Sequence, residues 1–245
     1  MDVSIVIVSW NTKELLLDCI ASVYRTAEKA RFEIIVSDNG SRDGSLEAVA
    51  EKYPEVRRIE NSANLGFARA NNIAIERMQG RYALLLNTDT VLKPGAPDRL
   101  FDFMESRPDA GMCGPQLLNT DGSRQTSFGT FPTIATEFLG RTVARFLFAT
   151  PGARPGGSAA PVPDGPAEAD FIIGACMMVR RSAMEAVGAF DPDYFFFYEE
   201  IDWCWRMRQA GWRIWFVPEA EVVHFGGQSA KNLNLRARAE SWRSR

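Results

Sequence analysis

Tyr82-Ala83-Leu84-Leu85-Leu86-Asn87-Thr88-Asp89-Thr90 is the stretch that decides the fold class. The run from Tyr82 to Leu86 is apolar at every position, which suits a strand buried on both faces of a parallel sheet. Asn87 and Asp89 emerge where that strand leaves the core. In an open α/β sheet, ligands bind outside the carboxyl ends of the strands. A carboxylate at that edge can hold a divalent cation, and the cation can hold a diphosphate. Asn, Thr and Asp also favour turns, and taken alone the segment reads more simply as an Asx turn. A second acidic cluster, Glu199-Glu200-Ile201-Asp202, and the only histidine, His224, shift that balance.

Working outward, strands and helices alternate through the first half. Strands are expected at Val3 to Ser9, Phe32 to Ser37, Val56 to Glu60 and Tyr82 to Leu86. Helices are expected at Lys13 to Thr26, Gly44 to Lys52, Phe67 to Met78 and Pro97 to Ser106. Leu16, Ile20 and Val23 share one helical face, and Pro97 suits a first helical turn. Such alternation implies a mostly parallel central sheet with right-handed crossovers, flanked by helices. Beyond residue 114 the pattern breaks into a smaller mixed portion. Ile134 to Phe148 is apolar with Arg141 and Arg145, which fits a helix covering the core or one lying on a membrane. Five prolines and four glycines between Pro151 and Pro166 rule out a regular element and point to a mobile loop over 150–168. Met177 to Arg180 reads as a strand, Ser182 as a helix cap, Glu199 to Gln209 as a helix, and Ile214 to Val217 and Val222 to Phe225 as two strands. A basic tail, 231–245, reads as part of a longer helix.

Composition narrows the class. At 245 residues the chain suits one large domain, and a net charge of −3 gives no basic field for nucleic acid. Cys19, Cys113, Cys176 and Cys204 lack metal-type spacing and read as small hydrophobes in a reducing compartment. A strand starting by Val3 leaves no room for a signal peptide, and no apolar run is long enough to span a bilayer. These features suggest a cytoplasmic location.

Asp38 closes the second strand on the same edge as Asp89. Its carboxylate suits a ribose hydroxyl or the imide N–H of a pyrimidine, although Asp38-Asn39-Gly40-Ser41 is also a turn. Ser9-Trp10-Asn11 ends the first strand there, with Trp10 a stacking platform or a packing residue. In Asn64-Leu65-Gly66-Phe67-Ala68-Arg69, Gly66 permits close approach of an anion to a helix N-terminus, and Arg69 adds charge near a diphosphate. A plain loop-to-helix junction reads the same way. Neither a Walker loop nor a dinucleotide fingerprint is present. Four aromatics, Phe195 to Tyr198, precede the acidic cluster. Burial beside them raises a carboxyl pKa, the condition for a general base. Glu199 and Asp202 fit a helix first turn, and Asp202 pairs with Arg206 at i, i+4. Glu200 is left as the candidate base. His224, followed by Gly226 and Gly227, reads as a core residue or as a ligand that suits Mn²⁺ somewhat better than Mg²⁺.

These segments together resemble the family-two glycosyltransferases of GT-A fold, particularly their bacterial rhamnosyltransferase-like members. The resemblance rests on seven segments in the family's order. They are Ser4 to Asn11, Asp38 to Ser41, Asn64 to Phe67, Asn87-Thr88-Asp89, Gly174-Ala175-Cys176-Met177, Glu199 to Trp203, and His224 to Ser229. It implies a single catalytic domain over 1–230, with a nucleotide-sugar half over 1–114 and an acceptor half over 115–230. It also implies a nucleoside-diphosphate sugar donor such as dTDP-rhamnose or a UDP-sugar, and a divalent cation, Mn²⁺ or Mg²⁺. Inverting transfer to a glycan or lipid-linked acceptor in cell-surface polysaccharide synthesis follows from the same likeness. Asp38 would contact the nucleoside, Asp89 the metal, and His224 the metal or diphosphate. Ser9, Trp10, Asn11, Gly66, Arg69, Asn87 and Thr88 would serve the donor. Glu200 would be the base, with Glu199, Asp202, Gly174 and Ala175 supporting it on the acceptor side. Two departures stand out: Asn87 replaces the first acid of the Asp-x-Asp turn, and a glutamate holds the base position often taken by aspartate. Contact with the inner face of the plasma membrane and a homodimer are further expectations. A nucleotidyltransferase, or a non-catalytic polysaccharide-binding protein using the aromatic run, are the competing readings.

Overall fold

The computed structural model describes residues 1–131 and 163–226. The expected helix at 134–148, most of the Pro/Gly-rich loop, Gly227 to Ser229 and the basic tail lie outside them. Eleven strands and six helices are described. They run β1 (Val3–Ser9), α1 (Lys13–Thr26), β2 (Phe32–Asp38), α2 (Ser45–Lys52), β3 (Arg57–Glu60), α3 (Phe67–Ile75), β4 (Tyr82–Asn87), β5 (Thr90–Leu92), α4 (Ala96–Ser106), β6 (Ala110–Leu118), β7 (Phe128–Gly129), β8 (Ala167–Glu168), β9 (Phe171–Ile172), β10 (Cys176–Arg180), α5 (Arg181–Val187), α6 (Glu199–Gln209) and β11 (Arg213–His224).

Nine strands form one sheet in the order β3-β2-β1-β4-β10-β6-β11-β5, with β8 also on β11, and β7 pairs with β9 apart. The half from β3 to β4 is parallel. Beyond it β10 runs antiparallel to both β4 and β6, and β11 is parallel to β6. Successive residues of β1 and β4 serve opposite cores. Ile5, Ile7, Leu84 and Leu86 pack with Leu16, Ile20, Val23, Leu100 and Met104 of α1 and α4. Val6, Ala83 and Leu85 pack with Ala68, Ala74, Met184, Trp203 and Met207 of α3, α5 and α6. Burial on both faces is why these strands show no polar alternation. All four cysteines are buried and free. No helix among the described residues is long and apolar enough to cross a membrane.

The second half differs from the sequence expectation in several elements. Strand β6 was not foreseen, because Gly-Met-Cys-Gly-Pro carries three residues that disfavour strands. It is nonetheless buried throughout. Gly114 leaves room for Ile172, whose Cγ2 would lie 2.1 Å from an added Cβ. Pro115 is tolerated because β10 pairs only with Met112 and Cys113, short of it. The two strands expected around Pro218 are a single β11, and a register shift between Val217 and Glu221 absorbs the proline. Helix α5 starts at Arg181 with Arg180 at its N-cap, so Ser182 sits inside it and does not cap it. Helix α3 stops at Ile75, and Arg77 and Met78 donate to carbonyls three residues back in a tightened last turn.

Register fixes the functional edge. Ser9 pairs with Asp38 and Val8 with Asn87, so β1, β2 and β4 end level. Cys176 pairs with Leu86, which brings the lead into β10 to the same edge. His224 ends β11 opposite Thr90 of β5.

Candidate active site

The loops after β1 and β2 are stitched together. Asn39 N–H donates to Ser9 O at 2.8 Å. Asn11 N–H donates to Ser41 Oγ, and Arg42 N–H to Asn11 Oδ1, both at 2.8 Å. Asn11 takes a positive φ of 51° to do so, a conformation that asparagine tolerates. Asp38 is buried, and its oxygens accept from Ser41 N at 2.7 Å and Ser41 Oγ at 2.6 Å. The carboxylate therefore holds the turn, and the next residue, Asn39, is buried in the wall of the cleft described below. Asn39 donates to Gly66 O at 3.2 Å and accepts from Asn61 Nδ2 at 3.1 Å.

A cleft enclosing about 540 Å³, part of it open to solvent, is lined by Val8, Trp10, Asn39, Asn64, Gly66, Phe67, Asn87, Thr88, Phe195 and Phe196. Aromatic walls with a few amides suit a flat heterocycle. Asp89, His224 and Glu200 do not line it; Asp89 follows the lining residue Thr88 in the chain, and Ala175 O bonds the backbone of the lining residue Asn87.

Asp89 is 2% exposed, and His224 Nε2 stands 3.5 Å from its Oδ1. Strand β5, too short to be read from sequence, brings the two together, and Phe225 N–H donates to Asp89 O at 2.9 Å. A buried carboxylate facing an imidazole nitrogen is a donor set that fits a divalent cation. No third His, Cys, Asp or Glu joins them among the described residues. The remaining ligands would come from phosphate and water, as is usual for cations held by one or two carboxylates.

The acidic cluster opens α6. Asp202 pairs with Arg206 at 2.8 Å, as its spacing implies, and Arg206 also donates to Val187 O and Ala189 O. Glu199 is 5% exposed, and its Oε2 has no hydrogen-bond partner in the described structure. Burial, reinforced by the neighbouring Glu200 charge, pushes its pKa up to about 8. A carboxyl that keeps its proton near neutrality gains nothing from the helix dipole, so charge at the helix start does not account for Glu199. Glu200 is half-buried, with Oε2 sealed from solvent. Burial raises its pKa too, opposed by backbone hydrogen bonds that include Gly174 and Ile201. Gly174 packs against it: a Cβ there would lie 3.7 Å from the Glu200 carboxyl carbon. Ala175 O in turn accepts from Asn87 N at 3.0 Å. Two residues thus bridge the turn bearing Asp89 to the carboxyl of Glu200.

Gly66 and Arg69 have neighbours other than an anion. Gly66 adopts φ +84°, and an added Cβ would lie 2.5 Å from Phe195 O. That carbonyl accepts the first N–H of α3, from Phe67, at 2.9 Å. Arg69 Nε donates to Pro192 O at 2.8 Å. Asn72 makes a two-point contact with Phe190, donating to its O at 2.7 Å and accepting from its N at 3.0 Å. Helix α3 therefore clamps the segment that leads into α6. Phe197 and Tyr198 follow the clamp, both at φ 72°, a strained conformation for aromatic residues.

Sequence reasoning missed Asn39 and Asn64 as lining residues, though both stand inside motifs already singled out. It also missed Gln125, which contacts His224 across 99 residues and carries no local signal.

Known proteins resemble the chain in sequence and in fold. N-acetylglucosaminyl-diphospho-decaprenol L-rhamnosyltransferase of Mycobacterium tuberculosis is 32% identical over 213 residues, 80% of this chain and 67% of that protein. Rhamnosyltransferase WbbL of Escherichia coli K12 is 25% identical over 250 residues, 96% of this chain and 88% of that protein. The structure of GalNAc-T7 with UDP, GalNAc and Mn²⁺ superposes with a TM-score of 0.68 at 17% identity, covering 91% of this chain and 44% of that one. A mannosyltransferase from Pyrobaculum calidifontis with GDP-Man and Mn²⁺ gives 0.60 at 16% identity, covering 91% and 56%. The chain thus spans about half the length of these solved structures and shares their GT-A fold. The sequence model of glycosyl transferase family 2 matches residues 4–188, from β1 through α5, and the chain belongs to that family.

Proposed function

We propose that the chain is an inverting glycosyltransferase that moves a sugar from a nucleoside diphosphate to a hydroxyl of a glycan or lipid-linked acceptor in polysaccharide synthesis. The observation that carries this reading is the Asn87–Ala175 hydrogen bond and the Gly174–Glu200 contact. Both contacts support reading Glu200 as a base near the turn that bears Asp89. The rhamnosyl donor and the lipid-linked acceptor rest on the names of the two bacterial relatives.

Trp10 and Asn39 would receive the nucleoside, with Asp38 holding the turn that carries Asn39. Asp89 and His224 would hold Mn²⁺ or Mg²⁺, which when bound supplies positive charge against the departing diphosphate. Glu200, its pKa raised by burial, is suited to take the proton from the acceptor hydroxyl. Attack opposite the leaving group then inverts the anomeric centre. Gly66 and Arg69 are assigned to clamping the lead into α6.

The test is Glu200→Gln with a nucleotide-sugar donor and Mn²⁺, measured by release of the nucleoside diphosphate. A positioned base contributes about 10²–10⁴-fold, so kcat should fall by that factor while donor affinity by calorimetry is retained. Near-normal turnover would remove Glu200 from the role.

A further inference from the structure

His224 can ligate a cation through Nε2 only if that nitrogen carries a lone pair and not a proton, and the structure shows what decides this. Gln125 Nε2 donates to His224 O at 2.6 Å and to Asn119 Oδ1 at 2.7 Å. A backbone carbonyl only accepts, so the amide nitrogen of Gln125 must point that way. Its Oε1 is then fixed towards His224 Nδ1, at 3.0 Å. An amide oxygen accepts, so Nδ1 must carry the proton. A neutral imidazole has one N–H, which leaves Nε2 bare and 3.5 Å from Asp89 Oδ1.

Gln125 is itself held. Its N–H donates to Leu117 O at 2.8 Å, and its carbonyl accepts from Gln116 Nε2 at 2.9 Å and Ser127 Oγ at 3.0 Å. The end of β6 therefore positions the backbone, and the backbone positions the amide.

We infer that Gln125 is a positioning residue that locks His224 in the Nδ1–H tautomer and so turns the Nε2 lone pair towards Asp89, making the pair a cation site. The inference rests on the cation reading given under Proposed function. Outer partners of this kind typically hold a 10–100-fold share of metal affinity.

His224 is the only histidine of the chain, so its ring nitrogens are resolved without mutagenesis. Long-range ¹H–¹⁵N spectra of the labelled protein at about pH 8.5, two units above an ordinary histidine pKa, read the tautomer directly. Titration with Mn²⁺ alone then reads affinity from the broadening of the same signals. The wild type should show Nδ1–H. Gln125→Met should move the ring towards Nε2–H and weaken Mn²⁺ about 10–100-fold. An Nε2–H wild type would overturn the inference. So would a Gln125→Met protein of unchanged melting temperature that keeps both tautomer and affinity. An Nδ1–H wild type that shows no Mn²⁺ broadening would overturn the cation reading instead, with the tautomer lock intact.

Discussion

Glu199 carries its carboxyl into the core at the first turn of α6, beside Glu200. Two adjacent buried carboxyls cannot both ionise cheaply, because each charge is desolvated and each repels the other. The consequence for stability has a definite sign. In the unfolded chain Glu199 titrates near 4.5, and in the folded protein near 8. Between those values the folded state holds a proton that the unfolded state has released. Stability from this group is therefore fully present below 4.5, falls as pH rises, and is lost above 8. The melting temperature of the wild type should drop between pH 5 and 8.5, and Glu199→Gln, neutral throughout, should flatten that slope. Equal slopes in the two proteins, measured by scanning calorimetry at matched ionic strength, would acquit Glu199. The variant also separates the two acids, since a residue whose work is to keep a neutral group beside the base is replaced by one that does the same. At this scale the sequence was informative about residue type: acids after aromatics implied raised pKa values. It did not reveal which acid is the deeper, because that depends on the strained turn at Phe197 and Tyr198.

Helix α3 shows how an element far from the chemistry shapes it. The helix binds the lead into α6 through Phe67 N–H, Arg69 and Asn72, and through the close seat of Phe195 on Gly66. Asn72 satisfies both backbone groups of Phe190, so Asn72→Ala leaves a buried-side donor and acceptor unpaired. The expected cost is about 1–3 kcal/mol in urea denaturation with an unchanged m-value. Unchanged stability would mean that water replaces the amide and the clamp is weak. The first-half elements were legible because their residues obey one rule each: Val3 to Ser9 is buried on both faces, and Leu16, Ile20 and Val23 line one helical face. Strand β6 broke the rule, since Gly111, Gly114 and Pro115 are there to fit Trp212, Ile172 and a gap in pairing, partners distant in sequence. Strand β5 has three residues and only its pairing with β11 defines it. Gln125 was invisible for the same reason: a tautomer is a tertiary property.

Across the whole molecule, the proposed donor site draws on loops after β1, β2 and β4, which end level, and on the end of β11, which pairs with Thr90 just past Asp89. A ligand touching all of them binds only the folded chain, and its affinity is added to global stability. At a ligand concentration 100 times Kd the gain is about 2.7 kcal/mol. For a domain of this size each kcal/mol raises the melting temperature by about 2–4 °C, so a saturating nucleoside diphosphate with Mn²⁺ should shift it by about 5–10 °C. Because Asp89 and His224 supply only two protein ligands and phosphate the rest, the nucleotide with chelator should not reproduce the shift, and Mn²⁺ alone, held more weakly, should give only a small part of it. Asp89→Ala should abolish the Mn²⁺-dependent part and keep whatever the nucleoside gains from Trp10 and Asn39. Equal shifts with and without chelator would show that the diphosphate is held without a cation, and would leave the convergence of Asp89 and His224 to serve structure alone.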